Sequence, residues 1–188
     1  MNHDQPPAGD DPGDHPDGLH QLSDAAGTRA LGRRIASHWL RQRPREAVML
    51  LLRGDLGAGK TCLVQGIAET LGIEEPITSP TFALAQHYEG HARGRATALV
   101  HLDLYRLDQP WAADELLAQE EEEAIAGGAL LAVEWPDRLS RMPEGAWRVD
   151  LTLLDRDDPD RGRQAVVHGT WVQIPGPTTV DRAITPSE

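Results

Sequence analysis

The sequence predicts an α/β fold, with a mainly parallel central sheet and an antiparallel part added towards the C-terminus. Two observations carry most of this. Short continuous apolar runs alternate with stretches of helical period, as in VMLLLRG (48–54) followed by TCLVQGIAETLG (61–72). Such runs are too short for a separate helix and too uniformly apolar for a strand with one wet face, which marks them as strands buried on both faces. Further on, WRVDLTLLD and RQAVVHGTWVQI alternate apolar and polar positions across the turn-rich DRDDPDRG. That pattern predicts an antiparallel hairpin with one exposed face.

The elements follow in order. Residues 1–20 are rich in Pro, Gly and Asp and poor in large apolar groups, so they read as a disordered acidic tail. Ser23 or Asp24 can cap a helix that carries Leu31, Ile35, Trp39 and Leu40 on one face. The strand at 48–54 leads through a Gly-rich turn into a helix with Leu63, Ile67 and Leu71 in a stripe, stopped by Gly72. ALVHLDLYRL (98–107) reads as a second buried strand, residues 113–126 as a helix ended by paired glycines, and ALLAVEW (129–135) as a third strand. The hairpin closes a folded domain spanning 21–174, and 175–188 read as a second disordered tail. There is no internal repeat.

Composition excludes several classes. The formal charge of −12 on 188 residues argues against a protein that grips nucleic acid by itself, because phosphate binding relies on clustered Lys and Arg. No apolar run is long enough to span a bilayer, and the N-terminus lacks the basic start and apolar centre of a signal peptide. A cytoplasmic location is expected, and the single Cys62 cannot form an internal disulfide.

The chemistry centres on GDLGAGKT (54–61), which fits the phosphate-loop pattern G-x-x-x-x-G-K-[ST] between a buried strand and a helix. Gly54, Gly57 and Gly59 let the backbone curl so that its N–H groups point inward, and the helix N-terminus adds positive partial charge. Lys60 is placed to reach the β- and γ-phosphates and the Thr61 hydroxyl to bind Mg²⁺. Lys60 is also the single lysine among eighteen basic residues. A compact ammonium on a flexible stem suits a tight phosphate cradle where a planar guanidinium does not. With no second lysine, the Asn-Lys-x-Asp motif of guanine recognition cannot be built, so ATP is favoured over GTP.

Two of the apolar strands end in acids, Asp103 and Glu134. Carboxyl ends of strands in open α/β sheets face the ligand crevice, so these acids can meet Mg²⁺ or orient an attacking water. His101, two residues before Asp103, reads as a packed histidine supporting the site rather than a relay or metal ligand, since no Cys or second nearby His completes a set. ITSPTF (77–82) offers Ser79 and Thr81 either as a switch-like segment over the γ-phosphate or as an ordinary polar turn. Cys62 reads as a small buried group, and Glu120 to Glu123 as a solvated helix face with no chemistry.

Taken in order, TRALGRRIA (28–36), LLRGDLGAGKT, ITSPTF, HLDLYRL, LLAVEWPDRL and GRQA from Gly162 resemble the TsaE (YjeE) family. These are small P-loop ATPases of three-layer architecture required for threonylcarbamoyladenosine synthesis on tRNA. The resemblance covers about residues 20–172. It implies that Gly54, Asp55, Leu56, Gly57, Ala58, Gly59, Lys60, Thr61 and Cys62 form the ATP cradle, with Thr28 and Arg163 near the base and sugar. It further implies that Thr61 and Glu134 serve the Mg²⁺ site, that Asp103 is required for hydrolysis and that Trp135 is functionally important. Cys62 stands where members often have a second Thr. The implied role is a weak ATPase acting on the TsaB–TsaD complex, which modifies adenosine 37 of tRNA, with tRNA met only through the partners. The competing reading is a P-loop small-molecule kinase, for which RLSRMPEGAWR (138–148) is the one candidate arginine lid.

Overall fold

The computed structural model describes residues 16–42 and 48–169. Among the described residues, seven strands form one mixed sheet between helices on both faces, in the order β1-β7-β6-β2-β5-β4-β3. At its centre, β6 (Trp147–Leu153), β2 (Val48–Arg53), β5 (Leu130–Glu134) and β4 (Arg95–Asp103) run parallel. The predicted hairpin partner β7 (Arg163–His168) pairs antiparallel with β6. The expected α/β architecture, with its mainly parallel centre and antiparallel C-terminal strands, is the one observed.

Two strands are additions to the expected set. β1 (Gly18–Leu22) pairs antiparallel with β7, so a tail boundary at residue 20 falls inside a strand. Its Leu19 is 60% exposed and only Leu22 reaches the core, so backbone pairing to β7 along the whole strand holds most of it. β3 (Ala85–Ala92) is a polar edge strand with one fully buried residue, Tyr88, and it pairs antiparallel with β4. Arg93 and Gly94 link the two with φ of 53° and 73°, the two-residue turn that matches strand twist. Residues 1–15, 43–47 and 170–188 lie outside the described residues, and with them the C-terminal tail and most of the N-terminal one.

Helix α1 (Ala25–Gln42) starts at Asp24, whose Oδ1 accepts the Gly27 N–H at 2.7 Å. Leu31, Ile35 and Trp39 are buried as predicted, and Leu40 packs on the same core. Helix α2 (Lys60–Leu71) follows the glycine loop and ends on Gly72 in the left-handed conformation. The two helices cross at Gly32 and Gly66, where an added Cβ would run into the carbonyls of Leu63 and Arg29. Both lie on one face of the sheet, against Leu50, Leu52, Leu99 and Leu130. Helix α3 (Pro110–Gly127) covers the other face against Leu51, Val100, Leu131 and Val133. Alternate residues of β2 thus serve two cores, which explains its continuous apolar run, and each leucine so buried contributes roughly 2 kcal/mol.

The acidic run departs from its predicted setting. The buried stripe of α3 is Ala113, Leu117, Glu120 and Ala124, so Glu120 occupies a core position rather than a solvated face. β4 ends at Asp103, not at residue 107, because the Asp103 Oδ1 accepts the Tyr105 N–H at 3.0 Å and turns the chain.

Candidate functional site

The sheet brings the two predicted acids together. Asp103 and Glu134 are paired neighbours at the carboxyl ends of the parallel strands β4 and β5. Beside them β2 runs out at Arg53 into the glycine loop, and α2 begins at Lys60. A cleft of about 380 Å³ opens there, lined by Leu56, Gly57, Gly59, Lys60, Thr61, Cys62, Ser79, Thr81, Asp103, Tyr105, Glu134 and Trp135.

Gly59 caps α2 with φ of 103°, and an added Cβ would stand 2.5 Å from an Arg163 guanidinium nitrogen. Both facts require glycine here. Arg163 donates to the Ala58 carbonyl at 3.1 Å from beneath, and the Thr28 side chain packs against the same turn. Thr28 and Arg163 are therefore buried braces behind the loop, and neither lines the cleft. Asp55 points outward and pairs with Arg156 at 2.6 Å, while Leu56 forms an exposed lip.

Lys60 is 4% exposed and donates to the carbonyls of Gly54 at 2.8 Å and Asp55 at 3.0 Å. Its Nζ lies 3.9 Å from the centroid of the Trp135 ring. Burial pushes the ammonium below its ordinary pKa, against the opposing pull of Glu134, Asp103 and Asp55. Trp135 itself has φ of 60° and stacks at 4.9 Å on Tyr105.

Glu134 Oε1 accepts two hydrogen bonds, from the Thr61 hydroxyl at 2.8 Å and from His101 Nε2 at 2.9 Å. His101 is fully buried and its Nδ1 has no hydrogen-bond partner, so its one polar contact is the Nε2–H donated to the carboxylate. This is the supporting histidine that the sequence suggested. Asp103 is 2% exposed, and its Oδ2 accepts the hydroxyls of both Ser79 and Thr81 at 2.6 Å. The ITSPTF loop is thereby tied to the end of β4. Cys62 lines the cleft half-buried rather than fully buried as expected; its thiol bonds the Ala25 carbonyl at 3.3 Å, and burial raises its pKa.

Tyr105 is the cleft residue that sequence reasoning left unassigned, since a strand running to residue 107 would have carried it away from the site. The signal was the Asp at 103, a residue that turns a chain on its own carboxylate. No arginine of the 138–148 segment lines the cleft.

Residues 22–164 match the family model described as "Threonylcarbamoyl adenosine biosynthesis protein TsaE". The chain belongs to the TsaE family. Among relatives named tRNA threonylcarbamoyladenosine biosynthesis protein TsaE, that of Streptomyces coelicolor is 32% identical over 142 residues, covering 75% of this chain and 89% of the relative. That of Nostoc sp. is 44% identical over 113 residues, covering 57% of this chain and 64% of the relative. The crystal structure of Bacillus subtilis YdiB shares the fold, with a TM-score of 0.53 at 22% identity, covering 78% of this chain and 81% of that one. Among the described residues no helix is long and apolar enough to cross a membrane.

Proposed function

We propose that the chain binds ATP with Mg²⁺ in this cleft, hydrolyses it slowly, and so supports turnover of the TsaB–TsaD complex in threonylcarbamoyladenosine synthesis at adenosine 37 of tRNA. The observation that carries this reading is the convergence of the loop, Lys60, Thr61, Glu134 and Asp103 on one cleft at the strand ends. The donor set fits the metal: Thr61 and Glu134 offer only oxygens, the ligands that Mg²⁺ takes, at the start of the helix behind the loop. When bound, Mg²⁺ would supply charge neutralisation for the phosphates. The loop amides and the α2 N-terminus cradle phosphates, and Lys60 gives up its loop carbonyls to reach them. Asp103, freed from one of its hydroxyl partners, accepts a proton from an attacking water.

The formal charge of −12 leaves contact with tRNA to the partners, and the work is expected in the cytoplasm. Deleting the gene should deplete threonylcarbamoyladenosine from tRNA, read by nucleoside mass analysis. The intact gene should restore it, and Lys60→Ala or Glu134→Ala should not. Unchanged modification after deletion overturns the role, and phosphorylation of a metabolite by purified protein at ordinary enzymatic rates would replace it with that of a kinase.

A further inference from the structure

On the face of the sheet that α3 covers, Glu120 is an acid in an otherwise apolar stripe. Its companions along α3 are Ala113, Leu117 and Ala124, and Glu120 is 5% exposed. Facing it, His87 stands on the edge strand β3, paired with Val100 of the core. Glu123, one turn along the helix on the same side, completes the group. The Glu120 Oε2 lies 2.7 Å from His87 Nε2, yet it sits off the axis of the ring nitrogen and makes no hydrogen bond. Glu123 Oε2 is 3.6 Å from the other ring nitrogen. One donor atom from each of the three residues falls within 4.8 Å of the other two.

A buried carboxylate oxygen without a hydrogen bond is costly, and natural proteins satisfy such groups with a donor or a cation. A hydrogen bond from His87 is the simple solution, and the off-axis geometry does not form it. We propose that His87, Glu120 and Glu123 bind a divalent ion of the zinc class, separate from the nucleotide cleft. One imidazole nitrogen with two carboxylate oxygens suits Zn²⁺, whereas Mg²⁺ and Ca²⁺ favour oxygen alone. Three protein ligands leave a fourth position on the side where His87 and Glu123 are half-exposed. The ion clamps the polar edge strand β3 to α3, and through β3 the hairpin whose second strand ends at Asp103.

The test is titration calorimetry of the chelator-treated full chain with Zn²⁺ alone, without nucleotide. Expected is a site that persists in Glu134→Gln and is weakened at least about tenfold by His87→Ala and by Glu120→Gln, since even outer-shell changes cost that much. His87→Ala alters a half-exposed side chain and Glu120→Gln keeps the volume, so both should fold. In the wild-type chain, long-range ¹H–¹⁵N spectra should show a His87 ring nitrogen shifting as Zn²⁺ is added. Unmoved His87 nitrogens, wild-type affinity in His87→Ala, or no Zn²⁺ binding at all overturns the site and leaves His87 an ion-pair partner of the two acids.

Discussion

The Lys60 ammonium lies 3.9 Å above the ring of Trp135, which closes the cleft floor from the end of β5. Trp135 holds this position at φ of 60°, a conformation costing about 1–2 kcal/mol, with its N–H on the Leu52 carbonyl at 3.2 Å and its ring on Tyr105. In the proposed complex, a bound nucleotide would draw Lys60 off the ring and bring phosphate charge beside it. Addition of Mg²⁺ and ATP should therefore change the intrinsic fluorescence, and Trp135→Phe should remove that change. An undiminished signal in the variant would place the response elsewhere.

Because Lys60 is the only lysine, a chain grown on ¹³C-lysine gives one side-chain spin system, which makes its ionisation directly measurable. The Cε resonance should titrate below 10.5, since burial outweighs the pull of the nearby acids. Between the depressed folded value and 10.5 the unfolded chain holds a proton that the folded chain has lost, so stability rises with pH across that window. Below the window the buried charge is a constant penalty. Phosphates bound as proposed would reverse the balance, so Mg²⁺ and ATP should move the midpoint upward. A free-protein midpoint at or above 10.5 contradicts this account.

Asp103 takes two hydroxyls on a single oxygen, and that oxygen tethers the ITSPTF loop. A hydrogen bond to a charged acceptor contributes about 1.5–3 kcal/mol, so one bond corresponds to roughly a ten- to hundredfold change in opening. Amide exchange across residues 78–83 should rise at least about tenfold in Ser79→Ala or Thr81→Ala, and further in the double variant and in Asp103→Ala. If Asp103→Ala left exchange there unchanged, the tether would have no energetic meaning.

Different parts of this arrangement were legible in the sequence to different degrees. β2, β5 and the stripe of α2 could be read because burial on two faces and burial on one stripe leave distinct periods. Asp103 and Glu134 could be found because each ends such a run. β1 and β3 could not be read by period, since edge strands held by backbone pairing carry few buried side chains; only the Arg93-Gly94 turn marked β3. Glu120 was hidden because four consecutive acids look alike in sequence while the helix turns one of them inward. The positions of Thr28 and Arg163 behind Gly59 depend on how α1 and β7 approach the loop, a long-range relationship that no local pattern encodes.

His101 donates its Nε2–H to the oxygen of Glu134 that also accepts Thr61. With Nδ1 unpartnered in a fully buried ring, the contact to Glu134 is its one polar tie, and it aims the carboxylate. His101→Leu keeps an apolar group in the core but leaves Glu134 with Thr61 alone, at a cost of about 1–3 kcal/mol in stability. Since Glu134 is proposed to serve the metal, ATP affinity measured with Mg²⁺ should fall about tenfold, whereas affinity measured with a chelator present should barely move. Titration of the Trp135 fluorescence under the two conditions separates these outcomes. An equal loss with and without Mg²⁺ would mean that His101 supports the loop in general and does not position Glu134.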